Sequence, residues 1–470
     1  MTDTTSKTPK LRTYSNLART VLLRSLTLLT LFIAYNFLQN MSFEEWLTLH
    51  EINKEIQFKI DFYFSAVLII VFTCVISAPA SPLIAMGGCA VLVTSFDRYS
   101  TQNTFNHYCG LHHVAALSVI LACLNNIRIG LRRAFRGGNF YMTVCFSYLS
   151  WICLVETYHV FLKQSVLPFY MKTWIHASIA ILFTIILSNT IIRKRDIDFL
   201  AFALAVPLSC RRIILNENLV LNHDIPVYAV CSIPLLVFAM THGWLYKRMM
   251  GAIILLATVY LIIETDNRGA LVGVAFAISG ALIGASWKSI LAIIFILPTL
   301  AILLKIGKPS YFKRFTDIIN NGPAAQSFFS RFEIYSIALS LPPITYIFGV
   351  GLGRFGAEVL EKNPELGRIN AHNSWISVLT ELGVVGLLLY SLLIFCGIHA
   401  SYRLARHRKK FPRFVGISCL SCICGYCGCS LSIARDLFLP FFLIVGVVFN
   451  MTSLLQCDSS AEEVSEEPKE

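Results

Sequence analysis

Of 470 residues, 56% are hydrophobic and only 14% charged, with a mean hydropathy of +0.66, where soluble domains carry roughly 25% Asp, Glu, Lys and Arg. This balance excludes a soluble globule, a disordered chain and a disulfide scaffold. A bitopic protein with one anchor is excluded too, because apolar runs recur along the whole length. The net charge of +12 reflects topology rather than nucleic acid, since Lys and Arg gather in cytoplasmic loops of membrane proteins. The 15 Cys mostly sit inside apolar runs, where Cys acts as a small apolar residue.

A spanning helix needs about 20 mostly apolar residues. In chain order the runs are Val21–Leu38, Phe62–Ala78, Leu83–Phe96, Tyr108–Asn125, Phe140–Val160, Thr173–Ile192, Phe199–Cys210, Pro226–Gly243, Gly251–Ile263, Ala270–Ser286, Ser289–Leu304, Ser374–Ile398, Phe414–Ser430 and Leu437–Leu454. Leu83–Phe96 and Phe199–Cys210 are short for a bilayer, so the expectation is an all-α polytopic integral membrane protein of about 12–14 transmembrane helices. No small-residue cleavage site follows the first run, which is expected to stay as an anchor. Lys7, Lys10, Arg12 and Arg19 precede it and place the N-terminus inside. Alternate loops then carry Arg128, Arg132, Arg133 and Arg136; Arg193, Lys194 and Arg195; Lys247 and Arg248; Lys288; and Arg403, Arg406, Arg408, Lys409, Lys410 and Arg413. All fall on the side of the N-terminus, and an even number of spans returns the C-terminus there.

The organisation expected is a cytoplasmic basic tail (1–20), N-terminal spans (21–304), one large extracytoplasmic loop (305–371), C-terminal spans (372–455) and an acidic cytoplasmic tail (456–470). The loop holds eight Lys and Arg and five acids, net +3, and its Pro, Gly and Asn content divides it into short elements. Phe328–Leu341 has helical spacing. A loop of this length is usually functional or disordered; its apolar and aromatic content argues for folded.

Three basic features face the side opposite the basic loops. Arg268 occupies the break Thr265-Asp266-Asn267-Arg268-Gly269 between two apolar runs. Arg331 lies within the long loop, and His372-Asn373 ends it. Arg is permanently charged and grips two phosphate oxygens at once, which suits a lipid-linked phosphate; the other reading is that these side chains reach to headgroups. At the first turn of a helix the dipole disfavours imidazolium, and a neutral His372 can accept a proton as a general base. Alternatively it is an interfacial His, with Asn373 capping the helix. Cys419, Cys422, Cys424, Cys427 and Cys429 mimic a metal motif, but they share an apolar run with Gly425 and Gly428, which reads as close helix packing; no metal is expected. His112-His113 is adjacent rather than spaced for paired ligation. Glu156 and Glu381 are intramembrane acids, functional candidates by default, although both lie near span ends. Arg435-Asp436 is read either as a local ion pair or as a headgroup contact.

The string His372-Asn373, nine residues, then Gly383-Val384-Val385-Gly386 resembles the pattern H-[N/S/Q]-x9-G-x-x-G of O-antigen ligases. Asp266-Asn267-Arg268-Gly269-Ala270 is similar to that superfamily's Arg between two spans. Ser330-Arg331-Phe332-Glu333, followed by Gly349-Val350-Gly351-Leu352-Gly353, resembles its loop segment. The likeness covers about Leu261–Ser401. It implies about twelve spans with one large periplasmic loop before the last three, in a bacterial inner membrane. It also implies transfer of a glycan from an undecaprenyl-diphosphate-linked O-antigen donor to a lipid A–core acceptor at the periplasmic face. In that scheme Arg268 and Arg331 hold the diphosphate, His372 is the base, and Arg354, Arg368 and Asn373 are secondary candidates. The diphosphate is already an activated leaving group, so no cofactor, nucleotide or metal is required, and the partners are membrane lipids rather than nucleic acid. An O-antigen polymerase or a protein O-oligosaccharyltransferase shares the donor and stays open. A transporter is the alternative of another class, but neither inverted repeats nor paired broken helices stand out.

Overall fold

The computed structural model describes residues 81–96, 111–135, 139–163, 168–190, 192–215, 224–242, 244–264, 267–284, 326–366, 371–432 and 439–465. All regular structure among them is helical: α1 (Pro82–Phe96), α2 (Leu111–Ala122), α3 (Leu124–Phe135), α4 (Phe140–Lys163), α5 (Pro168–Ser188), α6 (Lys194–Leu215), α7 (Asp224–His242), α8 (Leu245–Glu264), α9 (Arg268–Gly284), α10 (Gln326–Leu339), α11 (Pro343–Phe348), α12 (Phe355–Lys362), α13 (Ser374–Ala405), α14 (Lys410–Ser430) and α15 (Leu439–Ser465), with a 3-10 turn at Pro364–Leu366. Four described helices contain stretches long and apolar enough to cross a membrane: Phe140–Val160, Leu245–Ile263, Ser374–Ala405 and Lys410–Ser430. Shorter apolar helices stand at Trp174–Ser188, Val227–Thr241, Gly269–Ile283 and Leu439–Leu455. The chain is an all-α polytopic membrane protein. The first two expected spans, Ser289–Leu304 and Arg435-Asp436 lie outside the described residues.

Several helices run past the apolar windows that announced them. The run Phe199–Cys210 becomes the 22-residue α6, because the acids of its first turn find partners. The Asp196 carboxylate accepts from Arg193 N at 2.8 Å, and Asp198 pairs with Lys247 at 2.8 Å. Tyr108–Asn125 divides: α2 stops at a turn at Cys123, and α3 follows with Arg128, Arg132 and Arg133 exposed. The last helix continues through Ser465 into the acidic segment.

The C-terminal helices form the centre of the bundle. α14 packs on α9, α13, α7 and α15, and its approach to α9 is close because both helices present glycine there. A Cβ on Gly428 would lie 2.9 Å from Gly273 Cα, and one on Gly425 would lie 3.0 Å from Ala277 Cβ. With little apolar-burial gain available in lipid, such close packing is a main source of helix association. The cysteines of α14 belong to this contact: the thiol of Cys422 donates to the carbonyl of Cys231 on α7 at 3.0 Å, and Cys429 and Cys424 line Gly273 and Gly280. Among the described residues no group of His, Cys, Asp and Glu has a metal-binding arrangement. Tyr390 and Tyr426 join α13 to α14 through a buried hydroxyl–hydroxyl bond of 2.6 Å, and Tyr426 stacks on Phe441 of α15 at 4.5 Å.

The described part of the long loop is folded. The helix expected over Phe328–Leu341 is α10, Gln326–Leu339. Ile334, Ile337, Ala338 and Leu341 pack with Val350, Phe355, Val359 and Ala371 into a small core of their own, and Ile376 of α13 lies against it. The loop thereby rests on the start of α13, at the opposite end of that helix from the basic turn at Arg403–Arg413.

Candidate functional site at the start of α13

The site begins with a backbone reversal. His372 has φ +49° and is, among the described residues, the one non-glycine with positive φ, a conformation uncommon for residues with a side chain. Asn373 follows in extended geometry and caps α13: its Oδ1 accepts from Trp375 N at 2.9 Å and from Ile376 N at 3.3 Å. The cap satisfies two amides that the helix itself leaves open. The same side chain ties the helix start to a neighbour, since Asn373 Nδ2 donates to the carbonyl of Leu431, just past α14, at 3.3 Å.

The turn after α14 reaches a second helix start. Gly269, beside Arg268 at the beginning of α9, is buried against Ser432; a Cβ there would overlap its hydroxyl at 1.9 Å. The start of α9 at Arg268-Gly269 and the start of α13 at Asn373, more than one hundred residues apart in sequence, are therefore linked through Ser432 and Leu431. The positive ends of two helix dipoles converge here, which favours an anion. Arg331 stands on α10 one turn before Ile334, part of the small core that includes Ala371, the residue preceding His372. It is half-buried and has no charged partner among the described residues. Arg368 lies outside them.

After nine intervening residues (374–382), α13 breaks at Gly383. Gly383 has φ +72° and ψ −175° inside an otherwise helical run. The break strips carbonyls of their helical partners, and a second element supplies replacements. Val350 N donates to Thr380 O at 2.8 Å, Gly351 N to Glu381 O at 3.0 Å, and the Trp151 indole of α4 to Leu382 O at 2.8 Å. The turn that makes these bonds, Gly349–Arg354, has positive φ at Gly349, Gly351 and Gly353. At Gly349 no larger residue fits, because a Cβ would meet Glu381 O at 2.1 Å. Phe348, just before the turn, stacks against both Trp151 (5.9 Å) and Tyr158 (4.8 Å) of α4.

Arg354 is buried at the end of this turn. Its Nη2 lies 3.4 Å from Glu156 Oε2, and Glu156 Oε1 accepts from Leu352 N at 2.7 Å. His159, one turn further along α4, places Nε2 3.2 Å from Gly349 O. Sequence reading named Glu156 and Arg354 separately and did not pair them. The available signal was that an acid within a span needs a counter-charge.

Residues 228–391 match the sequence profile of the O-antigen ligase family. This segment, about a third of the chain, is similar to that family. No curated protein matches the chain. The matched segment starts within α7, upstream of the expected Leu261, and ends at Ser391 in α13, short of the expected Ser401. It contains Arg268, Arg331, Arg354, His372, Asn373 and both glycine-rich breaks, and it leaves out Glu156 and the turn at Leu431.

Proposed function

We propose that the protein is an O-antigen ligase: a glycosyltransferase that moves O-antigen glycan from undecaprenyl diphosphate to lipid A–core at the periplasmic face of the inner membrane. The observation that carries the reading is the meeting of the Arg268 helix start with His372-Asn373 through Leu431 and Ser432, both helix starts lying in the segment that matches the ligase-family profile. The basic turn at Arg403–Arg413 occupies the far end of α13. By the positive-inside rule that end is cytoplasmic, which supports an extracytoplasmic site.

In this reading Arg268 and Arg331 grip the diphosphate through paired charge-assisted hydrogen bonds, aided by the dipole of α9. The acceptor hydroxyl attacks the anomeric carbon from the side opposite the diphosphate. The new C–O bond forms as the bond to the diphosphate oxygen breaks, with inversion. His372 takes the hydroxyl proton and later releases it to water, and undecaprenyl diphosphate departs carrying the bonding electron pair. The arginines stabilise the charge that grows on the leaving oxygen, an electrostatic contribution made by groups already in place.

The test is a lipopolysaccharide gel of a deletion strain in an O-antigen-producing host, complemented with the wild-type gene. Core-only lipopolysaccharide in the deletion, with long polymer retained on the lipid carrier, supports ligation. Core bearing a single repeat would identify a polymerase instead. An unchanged ladder would contradict the reading.

A further inference from the structure

The break in α13 isolates Ser374–Leu382 as a half-helix of nine residues, about 13 Å long at 1.5 Å per residue, with His372-Asn373 at its N-terminus. Its C-terminal carbonyls are held by the Gly349–Arg354 turn and by Trp151 rather than by the rest of α13. The turn is in turn held by α4. Glu156 bonds Leu352 N and pairs with Arg354, both partners being nine-tenths buried, and His159 bonds Gly349 O. The anchors thus form a chain from α4, outside the family-matched segment, to the half-helix that begins beside His372.

We propose that Glu156 is a positioning residue for the transfer site: with Arg354 it clamps the Gly349–Arg354 turn into the break of α13 and so sets the direction of the half-helix bearing His372. On this account Arg354 serves as the counter-charge of Glu156 and not as a diphosphate ligand. The proposal rests on the ligase reading for what is positioned, while the clamp has its own physical signature. A misplacement of the reacting groups by about 1 Å costs about 100-fold in rate without changing substrate contacts, so the loss belongs in kcat. Removing one member of a buried ion pair leaves an uncompensated charge, whereas a neutral pair of similar volume is tolerated.

The experiment compares full-length wild type, Glu156→Gln, Arg354→Met and the double variant, purified in lipid nanodiscs. Each is assayed for transfer from a lipid-diphosphate-linked glycan to lipopolysaccharide core and for amide hydrogen exchange. In the double variant the substituted side-chain amide still offers an oxygen to Leu352 N, while no buried charge remains. Expected are a kcat loss of about 100-fold in each single variant with donor KM near wild type, and recovery of most of that loss in the double variant. Faster exchange is expected at Val350, Gly351 and Leu352 in the single variants, reversed in the double. A double variant as inactive as Arg354→Met, with raised donor KM, would make Arg354 a substrate ligand and overturn the proposal. Wild-type exchange and wild-type kcat in Glu156→Gln would overturn it as well. Failure of the ligase reading looks different: the wild-type protein itself would transfer nothing. Exchange at the three amides then decides the clamp alone, its quickening in the single variants supporting it and its constancy overturning it.

Discussion

A Cβ on Gly383 would stand 2.0 Å from the carbonyl oxygen of Ile347, at a backbone φ of +72°. The first glycine of the His-Asn-x9-Gly-x-x-Gly string is therefore demanded twice, by its left-handed conformation and by the loop backbone lying against it. Gly386, one turn on, faces the Trp151 indole, 3.3 Å from the position of a Cβ. The spacing of the motif measures the half-helix: it sets the distance between His372 and the point where the loop inserts.

From this follows the outcome for Gly383→Ala. Backbone strain alone costs about 1–3 kcal/mol, and the overlap with Ile347 adds to it. Thermal unfolding in detergent should occur at lower temperature, and transfer should fall even where protein remains. A variant as stable and active as wild type would mean that the break is not a fixed feature.

Asn373 separates capping from tethering. Asn373→Ala loses the bonds to Trp375 N, Ile376 N and Leu431 O, and the cap alone contributes about 1 kcal/mol. Asn373→Asp keeps the accepting oxygens but cannot donate to Leu431. Thermal stability should therefore return in the Asp variant, while transfer, which depends on the tie to the turn beside Arg268, stays reduced. Full activity in Asn373→Asp would show that the tether is dispensable.

Arg331→Lys retains the charge and loses the planar fork. If Arg331 grips diphosphate, the loss is one charge-assisted bond of about 1.5–3 kcal/mol, read as a raised donor KM or reduced kcat/KM with normal membrane abundance. A residue that merely reaches to headgroups would tolerate Lys, so unchanged kinetics would remove Arg331 from the site.

The contact between α9 and α14 sets the place of Arg268. Gly428→Ala puts a methyl 2.9 Å from Gly273 Cα, Phe276 Cβ and Val272 O. Overpacking of this kind costs about 1–3 kcal/mol and should lower thermal stability together with transfer. Cys427→Ala, on the same helix and half-buried, removes a thiol without adding bulk and should be better tolerated. The reverse order would point to chemistry in the cysteines.

Much of this was legible in the residues. Apolar runs gave the helices, and the His-Asn-Gly-Gly string marked the start of α13. The break at Gly383 was not legible, because Ser374–Ile398 is a continuous apolar run and hydropathy carries no record of φ. Nor was the pairing of Glu156 with Arg354, 198 residues apart: each appears alone in sequence, and only packing of the loop against α4 joins them. The length of α6 was underestimated because its first-turn acids resemble a loop on paper, whereas Asp196 is bonded within its own turn and Asp198 pairs with Lys247 of α8.

The central claim is that His372 takes the proton of the attacking hydroxyl, and kinetics of His372→Ala test it most directly. Purified wild type and variant would be supplied with a lipid-diphosphate-linked glycan and lipopolysaccharide core, at matched abundance and fold. A general base contributes about 100- to 10,000-fold, so the account requires a kcat loss in that range with donor binding retained. Transfer by His372→Ala at the wild-type rate would contradict it.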